Sequence, residues 1–436
     1  MMMKASPDDY EPPLRPASAG VPPFPMPTIQ VPVFPDADFN VVDYGATPDG
    51  TKCTEAFAQA MAAAHAAGGG RVVVPAGRWT TGPIRFRSGC DLHLEDGAVL
   101  AFTDDPADYL PPVQTAWGGI ECLNYSPLLY AFGCTDVAIT GPGLVAPEMD
   151  LWRTWFTRPP DHMEALRRLY EWCSTGAPVA ERDLTVLKGA NVRPPLIQFN
   201  RCRNVLLDGF SILESPLWTI HLYLSSDCTV RNLRTNCSGH NNDGVDVEMS
   251  RNVLVEKCVF NQGDDGIVIK AGRNRDGWRL ATPTENVEVR DCRIVRAHSL
   301  LAVGSEVSAG VRNVWVHDCE VGDCGAMFHL KTNHRRGGFI ENIFGDRLHA
   351  GRVETSVVGL TTDVFYQWGA FPDREIRYTA IRNVRLRDSS CDEARWAVRL
   401  RGDAHQPARD IEIDDLKVAK VLEENVIENC EDVRIG

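Results

Sequence analysis

The chain has 436 residues, of which 44% are hydrophobic and 24% charged, and its formal net charge is −14. These proportions are ordinary for a globular protein in water, and the acidic balance argues against nucleic acid as a partner. No apolar run reaches the length of about 18 residues that a membrane-spanning helix needs, so no membrane partner is expected.

Residues 1–38 are rich in proline, with Pro12-Pro13, Pro22-Pro23 and Pro35, and read as an extended or disordered arm. The start, Met1 to Asp9, lacks the charged, then apolar, then small-residue pattern of a secretory leader. The expectation is a cytoplasmic protein, or a periplasmic or secreted one if a leader has been removed.

Phe39 to Ala46 reads as a strand that ends in a glycine turn, and Glu55 to Ala67 as an alanine-rich helix stopped by Gly68-Gly69-Gly70. Arg71 to Pro75 is the next strand. One early helix followed by strands suggests a cap over the open end of a solenoid.

A short unit then recurs, with a small polar residue, alternating apolar residues, and an acidic or glycine turn. It stands at Asn204-Val205-Leu206-Leu207-Asp208-Gly209, at Asn252 to Cys258, at Asn286 to Cys292 and at Asn313 to Cys319. It returns at Asn342-Ile343, Asn383 to Leu386 and Asp410 to Ile413. The first apolar positions are mostly 27 to 34 residues apart, with gaps of 48 and 41. Alternation with a period of two inside a repeat of this length marks a solenoid of strands, an all-β parallel β-helix rather than a helical repeat. Cys258, Cys292 and Cys319 share one slot and would stack inside as small apolar fillers. The chain has 14 cysteines and no CxxC pair, so neither a metal nor a disulfide role is expected. Residues 148–190 break the repeat: Trp152, Trp155 and His162 to Trp172 recur at helical spacing. They predict an inserted loop and helix beside the cleft of a single domain spanning 39–436.

The chemistry lies in Asn241-Asn242-Asp243-Gly244 and Gly263-Asp264-Asp265-Gly266. Setting Gly244 against Gly266 gives a separation of 22 residues, one coil, and neighbouring coils stack about 4.8 Å apart. Asp243 and Asp265 then become neighbours with Asp264 one place away. Either segment alone would be an ordinary turn; in register they form a carboxylate cluster in which like charges hold a proton for donation. Such a cluster suits glycosidic-bond hydrolysis. His298, His329, Lys331 and Lys270 fall on adjacent coils, with Arg273, Arg335 and Arg336 nearby. A lone histidine here would be structural and a lone lysine solvated; together they form a cationic patch that suits an anionic sugar.

These residues resemble the polygalacturonases, glycoside hydrolase family 28, from Phe39 to the C-terminus. The family pattern runs Asn-x-Asp, Gly-Asp-Asp, Gly-His-Gly and Arg-Ile/Leu-Lys, in that order. The first two stand intact as Asn241-Asn242-Asp243 and Gly263-Asp264-Asp265. Asp265 to Asn274, Val303-Gly304-Ser305-Glu306 and Lys331-Thr332-Asn333 also match. Arg335 to Asn342 and Asn124-Tyr125-Ser126-Pro127-Leu128 resemble bacterial exo-acting members in particular.

The resemblance implies a right-handed parallel β-helix that hydrolyses galacturonate linkages of a pectic polysaccharide with inversion, without metal or cofactor. It makes Asp264 the general acid, Asp243 and Asp265 the pair that activates water, and adds His298 to the catalytic group. Lys270, His329, Lys331, Arg273, Asn241 and Arg335 become the substrate-binding set. Two departures alter the expectation: Ala297-His298-Ser299 lacks both flanking glycines, and His329 stands where the family has arginine. Histidine is shorter, only partly charged, and cannot form the bidentate fork. A substituted or alternating backbone such as rhamnogalacturonan is therefore the alternative substrate. A β-helix lyase and a non-catalytic carbohydrate-binding protein are the competing classes, and the intact acid trio weighs against both.

Overall fold

The computed structural model describes residues 21–187, 189–364 and 375–436. Twenty-nine strands join into one continuous sheet network whose pairings are parallel, and among the described residues the one antiparallel strand pair is the hairpin formed by Val113–Trp117 and Ile120–Asn124, apart from an isolated bridge between Asn333 and Asp363. Each turn of the chain lays its strands on those of the turn before. One register row runs Val205, Cys228, Val253, Val287, Val314, Ile343, Val384, Ile411 and Val433. A second runs Ile220, Val245, Ile267, Leu301, Phe328, Val358 and Val398. This is a parallel β-helix, in the right-handed sense that crossovers between parallel strands take.

The polar residue that opens each repeat has a structural cause. Asn204, Asn252, Asn286, Asn313, Asn342 and Asn383 all hold φ between 54° and 58°, the left-handed region that asparagine tolerates better than most residues. Their side chains form a ladder. Asn286 Nδ2 donates to Asn252 Oδ1 (3.1 Å), Asn313 to Asn286 (3.0 Å), Asn342 to Asn313 (2.9 Å) and Asn383 to Asn342 (2.6 Å). The ladder satisfies amides that the tight corner would otherwise leave without partners. The apolar residues that follow point inward, and Cys258, Cys292 and Cys319 are buried, free fillers in the same core.

At the N-terminal end the expected strand from Phe39 is shorter than the sequence suggests. It covers Asp38–Asn40, because the Asn40 side chain accepts the Val42 N–H and starts a single helical turn over Val41–Tyr44. The helix Thr54–Ala66 buries Phe57, Ala60, Met61 and Ala64, and it packs on the strands Asp38–Asn40 and Gly70–Val74. The proline-rich arm falls partly outside the described residues; its Phe24 ring lies 6.1 Å from that of Phe344 on the barrel surface.

Residues 148–190 carry the helix Pro160–Thr175, whose buried face is His162, Ala165, Leu166, Leu169, Tyr170 and Cys173. This helix and the hairpin 113–124 share a second apolar cluster outside the barrel core. Together they cover the outer face of the sheet over the coils that precede the acid turns.

Candidate active site

Val245–Glu248 pairs with Ile267–Lys270, Val245 opposite Ile267, so the two acidic turns that lead into these strands stack directly. The Gly244 N–H donates to the Asp265 carbonyl at 3.0 Å. The bounding glycines are required by this close approach: a Cβ on Gly244 would lie 2.4 Å from the Gly266 carbonyl oxygen, and one on Gly263 would lie 2.3 Å from the Gly239 backbone. Buried Asn242 ties the first turn down by donating to the carbonyls of Ser215 (2.6 Å) and Leu217 (3.2 Å).

The three carboxylates meet at one cavity of about 290 Å³ and stand in different surroundings. Asp264 accepts from the Asn241 N–H (3.2 Å), from its neighbour's Asp265 N–H (3.0 Å) and lies 3.0 Å from His298 Nδ1. His298 is exposed, and its hydrogen bond to Asp264 holds its pKa above the usual value. Asp265 is buried, which works to raise its pKa. The Lys331 ammonium at 2.6 Å and the Ser299 hydroxyl at 2.6 Å outweigh burial and hold it down at about 2. Asp243 is pushed up to about 7, first by burial and then by the charge of Asp264. Its nearest cation, Lys270, is 3.7 Å away. At neutral pH Asp243 is therefore partly protonated while Asp265 stays ionised, two carboxyls whose environments push their pKa values apart.

The cations have more specific duties than the sequence suggests. Lys270 is 6% exposed and faces Glu306 (3.4 Å), Asp246 (3.6 Å) and Asp243 (3.7 Å), with the Trp218 ring at 4.6 Å. Arg273 pairs with Glu306, donates to the Gly118 carbonyl (2.8 Å) and lies over the Tyr170 ring. Lys331 is held by Asp265. Three of the expected substrate cations thus neutralise the protein's own carboxylates. Asn241 lines the cavity and accepts from Arg193.

His329 and Arg335 do not line this cavity. His329 lies two residues along the strand from Lys331, and burial, helped by Lys331, lowers its pKa to about 4. Burial thus works against the partly charged histidine that the sequence suggests. Arg335 lies beyond the strand end, where its N–H donates to the Asn333 side chain.

Several residues that line the cavity or lie buried behind it escape sequence reasoning. Glu306 is the shared partner of Lys270 and Arg273, and only its place after Val303-Gly304-Ser305 marks it. Asp246 and Glu248 alternate outward from Asp243, a spacing of acids on one strand face that could have drawn attention. Burial pushes Asp246 well above the carboxylate range. Ser299, which replaces the family's glycine, supplies a donor to Asp265. Arg193 is buried and donates to the carbonyls of Pro216 (2.6 Å) and His240 (2.7 Å). From residues 148–190 come Trp155, Arg158, His162, Met163, Leu166 and Tyr170, which form one wall. The hairpin tip closes against it, where Arg273 N–H donates to the Gly119 carbonyl at 2.9 Å. Among the described residues no group of three His, Cys, Asp or Glu side chains is arranged to hold a metal ion.

Comparison with known proteins gives three findings. The sequence model of glycosyl hydrolases family 28 matches residues 179–435. The crystal structure of a hyperthermoactive exopolygalacturonase from Thermotoga maritima superposes with a TM-score of 0.87 at 36% identity, covering 93% of this chain and 94% of that one. Among curated sequences, a "Probable polygalacturonase" of Vitis vinifera is 25% identical over 87% of this chain and 74% of its own length. An exo-poly-alpha-D-galacturonosidase of Dickeya chrysanthemi is 25% identical over 63% of this chain and 48% of its own length.

Proposed function

The chain belongs to glycosyl hydrolases family 28, and from that premise we propose that it is a pectin-degrading hydrolase that removes galacturonate, or a related uronic acid, from a chain end by single displacement with inversion. The observation that carries the reading is the acid trio, with one proton retained at Asp243 beside Asp264 and an ionised Asp265 held by Ser299 and Lys331. In this mechanism Asp264, oriented by His298, passes to the leaving oxygen the proton that it shares with Asp243. Ionised Asp265 accepts the proton of the attacking water on the opposite face of the sugar, and Asp243 positions that water. Lys270, Arg273 and Glu306 act on the trio rather than on the sugar: they fix the field in which the acids titrate.

The end-on mode of attack rests on the wall. The hairpin tip at Gly118-Gly119 docks on Arg273, and the helix Pro160–Thr175 flanks it, so the cleft is blocked on the side of the preceding coils. A polymer can then enter from one side only.

The test is a product profile on a panel of galacturonan and rhamnogalacturonan oligomers, with Asp264→Asn as the control. Release of monomer from galacturonan ends, with an inverted anomer seen by NMR at early times and no ultraviolet absorbance of an unsaturated product, is the expected result. Activity confined to the alternating backbone would replace the substrate. An absorbing product would replace hydrolysis by elimination.

A further inference from the structure

The cations that line the cavity can be assigned one by one. Lys270 and Arg273 share Glu306, Lys331 holds Asp265, and Arg193 is spent on two carbonyls and Asn241. Arg158 also lines the cavity; its backbone N–H donates to the Trp155 carbonyl, and its guanidinium makes no hydrogen bond or ion pair with any described residue. Its charge acts on His162, Arg193 and His240, which places it over the wall formed by residues 148–190. An exposed guanidinium that lines a cavity among committed neighbours is the group with binding capacity left over.

One further observation points to a ligand at the same wall. Arg158 has φ 53° and ψ 61°, the left-handed conformation of a helix C-cap, and closes the turn Thr154–Thr157. Behind it, the His162 Nδ1 and the Trp155 Nε1 are buried without a hydrogen-bond partner, and both rings line the cavity. Burial, with Arg193 and Arg158 adding to it, holds His162 neutral, its pKa lowered to about 3. This wall, like Trp117 of the hairpin and Asp243, therefore carries polar groups left unmet inside the cavity.

Resting on the reading of the chain as an end-acting uronide hydrolase, we infer that Arg158 binds the carboxylate of the terminal uronic acid on the closed side of the scissile bond. The inserted segment thereby replaces the carboxylate recognition that His329, neutral and outside the cavity, does not supply. Specificity for charge sits in a loop, not in the barrel strands.

The experiment compares the wild-type chain with Arg158→Gln, Arg158→Lys and Arg158→Gly. On galacturonate oligomers, Arg158→Gln is expected to lower kcat/KM by about 10- to 100-fold, mostly through KM, the loss of one charge-assisted contact. Arg158→Lys recovers part of it. On oligomers whose terminal carboxylate is methyl-esterified, wild type and Arg158→Gln should be equal. Arg158→Gly relaxes the left-handed backbone, so its Tm should stay level or rise while KM still worsens, which a purely structural role would not give. A second arm measures binding of galacturonate, glucuronate and galactose to Asp264→Asn, with and without Arg158→Gln. It reads the inference even if galacturonan is not hydrolysed. Equal losses on charged and esterified ends, or no preference for either uronate over galactose in the Arg158 form, would overturn it.

Discussion

Asp265 stands between the Ser299 hydroxyl and the Lys331 ammonium, and each donor stabilises its ionised form. A hydrogen bond to a charged group contributes about 1.5–3 kcal/mol, and about 1.4 kcal/mol corresponds to one pKa unit. Removing the donor in Ser299→Ala should therefore raise the Asp265 pKa from about 2 by about one to two units. The ionised form is then lost sooner as pH falls, so activity at pH ~3 should drop while activity at pH ~6 is little changed. An unshifted acidic limb would show that Ser299 does not tune the base. The other limb belongs to Asp243, whose proton is held up to about 7 by burial and by Asp264. Above that value Asp243 has no proton to give, and kcat/KM should fall, approaching tenfold per pH unit. A rate that instead climbs through pH 7 would mean that ionised Asp243 is the working base and that the acid must be found elsewhere.

At the scale of the element, the asparagine ladder explains both what the sequence reveals and what it hides. The repeats at 252, 286, 313, 342 and 383 are legible because the corner needs a residue that tolerates positive φ and offers both a donor and an acceptor. The coils at Thr135–Thr140 and Ser226–Arg231 pass unread; Asp136 and Asp227 take the corner there with φ 54° and 59°, as Asp410 does with 55° in a repeat that is legible. Aspartate serves there as acceptor alone, receiving the Asn204 and Asn252 amides. Asn313 both donates and accepts within the ladder, so Asn313→Ala loses two hydrogen bonds, about 0.5–1.5 kcal/mol each. It also forces a Cβ residue without local compensation into the left-handed region, about 1–2 kcal/mol. Asn313→Gly loses only the bonds. Urea denaturation should show both variants destabilised, alanine more than glycine by about 1–2 kcal/mol. Equal midpoints would remove backbone conformation from the explanation.

At the scale of the whole molecule, the acid turns are legible because their chemistry is local, with three carboxylates and their glycines inside 26 residues, 241–266. The partners of the cations are not, because they arrive from distant coils and from the covering hairpin. Glu306 reaches Lys270 from the next coil, 36 residues on, and Gly118 reaches Arg273 from 155 residues earlier. The hairpin itself gives no repeat signal, yet it separates a walled cleft from an open groove. Gly119 is where that wall is fastened. It has φ 82°, and a Cβ there would lie 2.8 Å from the Arg273 nitrogen and 3.0 Å from the Glu306 side chain. The acids, Ser299 and Lys331 do not touch the tip, so a change at Gly119 acts on access and leaves the trio's own hydrogen bonds in place. In Gly119→Val the tip must lift, since neither the backbone conformation nor the space admits a branched side chain. The cleft should then open toward the preceding coils, and a galacturonan chain could lie across the acids instead of ending at them. The expected result is a product profile that shifts from monomer alone to monomer with longer oligomers, together with a faster fall in polymer viscosity per bond broken. Monomer as the only product of a folded, active Gly119→Val protein would place the block to through-binding in the helix wall rather than in the hairpin.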